Sequence, residues 1–114
     1  VDYINAHGTS TPAGDQIEIK AVQDIFGHRN KNIFLSSTKS QTGHLLGAAG
    51  AIEAIYSILT LKNQIMPCSI NIESPIEHDQ IDIVSKDNQV NNLSYVLSNS
   101  FGFGGTNVSL IFKK

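Results

Sequence analysis

Two histidines in this 114-residue sequence occupy comparable places. His7 follows the apolar run Val1–Ala6 and opens the polar turn His7-Gly-Thr-Ser-Thr-Pro-Ala-Gly14. His44 closes a second polar stretch, Thr38-Lys-Ser-Gln-Thr-Gly-His44, which follows the apolar run over residues 33–37. An imidazole near neutrality presents one N–H donor and one acceptor. Loops at the carboxyl ends of strands are where open α/β sheets carry their sites. Taken singly, each histidine could do no more than satisfy hydrogen bonds within its own loop. Their parallel placement, and Lys39 five residues ahead of His44, point towards a shared function.

Other residues invite chemistry less directly. Phe101-Gly-Phe-Gly-Gly-Thr-Asn107 lacks the register of a phosphate-binding loop and runs into strand-like Val108-Ser-Leu-Ile-Phe112, so no helix N-terminus follows to receive an anion. Its glycines could leave backbone N–H groups facing a ligand, as an oxyanion hole requires, or could simply close a tight hairpin; glycine content leaves both open. Cys68 sits in strand-like surroundings after Pro67, with no helix N-terminus to lower its pKa, and reads as a packing residue. His7, His28, His44 and His78 are scattered without metal-ligand spacing. Asp15, Glu18 and Glu53 could add carboxylates, but each has a structural role to hand. Asp15 and Glu18 have capping-box spacing, and Glu53 suits a buried hydrogen-bond anchor.

The elements that must position these residues follow from periodicity. Val1–Ala6 is a short strand, and Ile17, Ala21, Val22, Ile25 and Phe26 recur at helical intervals before Gly27. Residues 33–37 suit a strand buried on both faces. A second helix is expected over about 44–62. On it Leu45, Ala48, Ile52, Ile55, Tyr56 and Leu59 share one face, and Gly43, Gly47, Gly50, Ala54 and Ser57 the other. With a bulky face and a small-residue face it has no ordinary solvated side, so it should lie between two layers. Residues 81–84 form a short strand, Lys86 to Asn92 a polar turn, and Tyr95–Ser100 and Asn107–Phe112 two strands joined by the glycine-rich connection. The order β-α-β-α-β-β-β predicts an α/β layered fold.

Composition bounds the rest. The length suits one domain with a modest core. Eight Lys+Arg against ten Asp+Glu give a formal charge of -2, leaving no basic excess to hold a nucleic-acid backbone. One cysteine cannot form an internal disulfide and suits a reducing compartment. The most apolar stretch, Leu45–Leu61, contains Glu53 and falls short of the ~20 apolar residues a membrane span needs.

Together, Asn5-Ala-His-Gly-Thr-Ser-Thr-Pro-Ala-Gly-Asp15, the stretch from Ser37 through His44 to Glu53, and Asn99-Ser-Phe-Gly-Phe-Gly-Gly-Thr-Asn107 resemble beta-ketoacyl-[acyl-carrier-protein] synthases, most closely the type II elongating enzymes. The resemblance runs through essentially the whole sequence. It implies a thiolase-like fold of α-β-α-β-α layers, of which residues 1–114 would be the C-terminal portion, a single partial domain. The nucleophilic cysteine would lie in the other half. The activity implied is fatty acid elongation by decarboxylative Claisen condensation, with no cofactor. The partner implied is acyl carrier protein bearing an acyl or malonyl thioester, and the full-length state a homodimer in the cytoplasm or an organellar matrix.

The resemblance also implies roles. His7 and His44 would hold the malonyl thioester oxygen, and Lys39 would support the His44 region electrostatically. The Phe103 N–H would contribute to the oxyanion hole and its ring would gate the acyl pocket. Thr9 and Thr11 would bind the phosphopantetheine arm, with Phe101, Gly104 and Gly105 completing the substrate-binding loop. Some relatives hold a cation near the positions of Asn5, Glu53, Ser98 and Asn99. The alternatives are a polyketide ketosynthase and a catalytically silent partner of the chain-length-factor type. Pro12-Ala-Gly-Asp15 and Asn99-Ser-Phe101 look more like fatty acid synthesis.

Overall fold

A computed structural model describes residues 1–76, 78–86, 88–89 and 92–114. Its centre is a five-stranded sheet in the order β4-β2-β1-β6-β7, where β1 is Tyr3–Asn5, β2 Ile33–Ser36, β4 Ile81–Ile83, β6 Tyr95–Phe101 and β7 Asn107–Lys113. β1 pairs in parallel with both β2 and β6, β2 pairs in parallel with β4, and β7 returns antiparallel to β6. The chain thus steps outward from β1 to β4 and comes back to the other side of β1. The ends of β1 and β6 therefore lie where the strand order reverses, the usual place for a site in an open α/β sheet.

Period-two alternation deals the strand side chains to two faces. Ile4, Ala6, Ile33, Leu35 and Leu97 meet Ile19 and Val22 of helix α1 (Pro12–Phe26) in one core cluster. Tyr3 and Val96 meet Leu61 of helix α3 (Ala49–Asn63), together with Met66 and Cys68, in the other. Burying each such aliphatic side chain contributes about 1.5–3 kcal/mol. The result is the expected α/β layering, with helix, sheet and helix in turn. Cys68 packs in the second cluster, as expected of it.

Four expectations need correction. The N-cap of α1 is Thr11, not Asp15: the Thr11 hydroxyl accepts from the Gly14 N–H (3.2 Å), and Pro12 begins the helix, where its missing donor costs nothing. The buried stripe is Glu18, Ile19 and Val22, which leaves Ile17 and Ile25 exposed (68% and 70%), so the apolar periodicity alone misplaced the inner face. The second helix also starts later. Lys39–Thr42 forms a separate one-turn helix, α2, and Leu46–Ala48 a 3-10 turn. Gly43 breaks the chain between them at φ 72°, ψ 175°, a conformation that favours glycine. Leu45, Gly43 and Gly47 are therefore not on the helix.

From Ala49 onward the two-faced reading holds. Ala49, Glu53, Ser57, Thr60 and Leu61 are buried, while Ile55, Ile58 and Leu59 are about half exposed. Within the expected polar turn over 86–92, Asn88–Gln89 is instead a short strand, β5, paired antiparallel with β3 (Ile65–Met66). Asp87, Val90 and Asn91 of that turn lie outside the described residues.

Candidate active site

The turn after β1 brings His7 over the sheet, and two sets of contacts strap it down. The backbone N–H groups of His7 and Gly8 donate to the two oxygens of Glu18 (3.0 and 2.9 Å). The Ser37 hydroxyl, just beyond β2, donates to the Gly8 carbonyl (2.7 Å). Gly8 has φ 34°, and a Cβ there would stand 2.6 Å from the Ser37 Cβ, so only glycine permits this approach. Glu18 thus does more than cap a helix. It is a buried carboxylate on α1 that fixes the path of the His7 loop, whereas Asp15 accepts from the Ser10 N–H (3.1 Å) on the loop's outer side.

His44 arrives from the turn after α2. Its Nδ1 accepts from the Leu46 N–H (3.1 Å), which leaves Nε2 as the ring's donor in the neutral form. Leu46 holds that N–H in place with φ 52°, a left-handed conformation uncommon for a leucine. The two imidazoles meet edge to face, with centroids 5.5 Å apart and planes at 86°. Phe101, at the end of β6, lies 5.6 Å from the His7 ring on another side. Residues distant in sequence, from two strand ends and the turn after α2, therefore converge.

Behind them lies a buried ion pair. Lys39 Nζ stands 2.5 Å from Glu53 Oε1, and both side chains are 4% exposed. Burial pushes the Glu53 carboxyl above its ordinary value, and the Lys39 ammonium pulls it back. For His7, burial is the largest influence and lowers the pKa; Lys39 and His44 push the same way, against Glu18 and Asp15. His7 is thereby kept neutral, a donor and not a cation, at pH values where a free imidazole would begin to charge.

The remaining candidates are distributed as follows. Thr9 and His44 share the wall of a cleft of about 660 Å³ that runs between the His7 turn and the stretch 69–76. Thr11 is on the outer side, where its hydroxyl caps α1. Phe103 lies in a 3-10 turn, Phe103–Gly105, with Gly104 and Gly105 at positive φ, and its ring is fully exposed in this chain; Phe101 is the phenylalanine that touches a histidine. Asn5, Glu53, Ser98 and Asn99 are all buried. Among the described residues, Asn5 Nδ2 and Glu53 Oε2 find no hydrogen-bond partner. One carboxylate oxygen thus suits a cation, although Lys39 already supplies positive charge at Glu53. Among the described residues, no three of His, Cys, Asp and Glu cluster as a metal site, and no helix is long and apolar enough to cross a membrane.

Leu46, Ser37 and Glu18 were not legible as site residues. Leu46 acts through its backbone N–H, which leaves no trace in side-chain type, and the Ser37 hydroxyl serves a backbone carbonyl, a role that a serine in a loop does not advertise. Glu18 carried one usable signal, a carboxylate beside Ile19 and Val22 on what proves to be the inner face of α1.

The chain is similar to known proteins over its length. Residues 1–73 match the family described as "Beta-ketoacyl synthase, C-terminal domain". The whole chain aligns with a 3-oxoacyl-[acyl-carrier-protein] synthase 2 of Vibrio harveyi at 55% identity over 115 residues and with that of Coxiella burnetii at 48% over 114. It spans 28% of the length of each. Among solved structures it superposes over its full length on the ketosynthase from module 1 of the bacillaene synthase of Bacillus amyloliquefaciens FZB42, with a TM-score of 0.91 at 32% identity and 24% of that chain covered. On the ishigamide ketosynthase/chain length factor the TM-score is 0.90 at 32% identity, with 28% covered.

Proposed function

The chain belongs to the beta-ketoacyl synthase family, and on that premise we propose that it supplies the two histidines of a fatty-acid-elongating condensing enzyme. The reaction is a decarboxylative Claisen condensation. An acyl group rests as a thioester on a cysteine outside these 114 residues. Malonyl-acyl carrier protein enters, its C–CO₂⁻ bond breaks, and carbon dioxide leaves. The electron pair passes into the thioester, whose oxygen takes up negative charge. The enolate carbon then attacks the acyl carbonyl, the tetrahedral intermediate expels the cysteine thiolate, and a 3-oxoacyl thioester two carbons longer remains on the carrier.

The observation that carries this reading is the meeting of two imidazoles from separate turns, 5.5 Å apart. One of them has its proton directed to Nε2, and the other is held towards neutrality by burial. His7 is half-buried and His44 exposed in this chain; two N–H donors on one developing oxyanion would lower the barrier more than they stabilise the ground state once the rest of the enzyme covers them. Lys39 adds positive potential without needing to transfer a proton. The Phe103 N–H would receive the second oxyanion, that of the acyl carbonyl, and its ring would gate the acyl pocket. Thr9 and Thr11 would bind the phosphopantetheine arm, and Phe101, Gly104 and Gly105 would complete the substrate-binding loop. A homodimer working in the cytoplasm or an organellar matrix completes the proposal. The identities of 48–55% to 3-oxoacyl synthases, against 32% to the ketosynthases just described, favour fatty acid over polyketide assembly.

Decarboxylation of malonyl-acyl carrier protein by the full-length enzyme containing this sequence tests the proposal. His44→Ala should lower the rate by about 10²–10³-fold, and His7→Ala comparably. A variant that decarboxylates at the unsubstituted rate would sink the proposed roles.

A further inference from the structure

The contacts behind His7 do not stop at Glu18. Glu18 Oε1, already bound by the His7 N–H, accepts a second hydrogen bond from Asn99 Nδ2 (3.0 Å). Asn99 Oδ1 in turn accepts from Ser109 Oγ (2.7 Å). The pairing of β6 with β7 sets Ser109 directly opposite Asn99, so the contact is built into the sheet register. A carboxylate can only accept, so it must face the amide NH₂; that turns the amide oxygen towards Ser109, whose hydroxyl donates to it. Asn99 is 6% exposed and Glu18 4%, whereas Ser109 itself is exposed, so the relay is closed to water at its Glu18 end and water at Ser109 offers only a less directed replacement for its hydroxyl.

We propose that Ser109 and Asn99 are positioning residues for His7, a relay that runs from β7 through the Glu18 carboxylate to the backbone of the His7 turn. The inference rests on the condensing-enzyme reading and adds two residues that touch neither the histidine ring nor any reacting atom. Removing the Ser109 hydroxyl leaves Asn99 Oδ1 without its donor and lets the amide rotate. Glu18 Oε1 then loses one of its two N–H partners, and the His7 turn loses its fixed anchor. The titratable groups that act on this carboxylate are His7 and, on α3, Glu53, while Lys39 and His44 from the 38–44 segment and Asp15 on α1 act on His7.

Three variants of the full-length enzyme test the relay, with kcat and KM for malonyl-acyl carrier protein decarboxylation measured from mildly acidic to mildly alkaline pH. Ser109→Ala should lower kcat by about three- to tenfold with KM little changed, and Ser109→Thr, which keeps the hydroxyl, should restore it. Asn99→Asp keeps the shape but sets a second carboxylate against Glu18. Its activity should be low at neutral pH and recover on acidification, as one shared proton rebuilds the hydrogen bond; the unsubstituted enzyme should show no such recovery. Should Ser109→Ala fail to fold, the pH profile of the isosteric Asn99→Asp decides. An active enzyme in which Ser109→Ala matches the unsubstituted kcat, or Asn99→Asp shows no acid-side recovery, overturns the relay alone. An unsubstituted enzyme that does not decarboxylate overturns the functional reading instead.

Discussion

At the scale of single residues, His7 shows how the surroundings choose a protonation state. Burial, Lys39 and His44 together lower its pKa below the ordinary 6.5, against Glu18 and Asp15. The folded chain therefore takes up this proton less readily than the unfolded one, and stability from this group is present above pH 6.5 and lost as the pH falls through the lowered value. Unfolding midpoints of the full-length enzyme and of His7→Asn, compared across that window, should converge on acidification. Parallel curves would show that His7 titrates normally in the fold. The sequence pointed to His7, His44 and Lys39 because imidazoles and a lysine in strand-end loops are visible as residue types. The bracing by Glu18 stayed hidden, because a carboxylate early in a helix looks like a cap until its neighbours are known.

At the scale of elements, α3 depends on its small face. A Cβ at Gly50 would meet Ser100 Oγ at 3.2 Å, so the helix lies close against β6, whereas a Cβ at Gly47 meets nothing within 4 Å. In the full-length enzyme Gly50→Val should lower the unfolding midpoint, by the equivalent of about 1–3 kcal/mol, and Gly47→Ala should leave it within about 0.5 kcal/mol. Equal effects would mean that α3 does not pack as described. The stripe of small residues was readable from spacing, and so was its need for a neighbouring layer. The one-turn helix and the 3-10 turn were not, since a run of alanines and glycines satisfies helical periodicity while Gly43 and Leu46 leave it through backbone angles alone. The pairing of β3 with β5 likewise involves two residues on each side, too few for alternation to register.

For the molecule as a whole, the apolar surface is divided. One side of α3 is buried on the sheet, and the other presents Ile55, Ile58 and Leu59 to solvent. A face of this kind favours association. The 114-residue chain by itself should therefore elute above its monomer mass and form no 3-oxoacyl product, and Ile55→Glu should shift elution towards the monomer. A monomeric, cooperatively melting chain with no response to Ile55→Glu would contradict the layered account. The sequence alone determined the α/β class, the strands of the sheet, the two-faced helix and the identity of the paired histidines, because periodicity and residue type are local properties that survive without a partner. Only the tertiary structure decided that the two rings touch, that Glu18 faces inward to hold one of them, and that Ser109 stands opposite Asn99. Those depend on strand order and register, through which residues as far apart as 7, 44 and 101 become neighbours, and no short stretch of sequence encodes them.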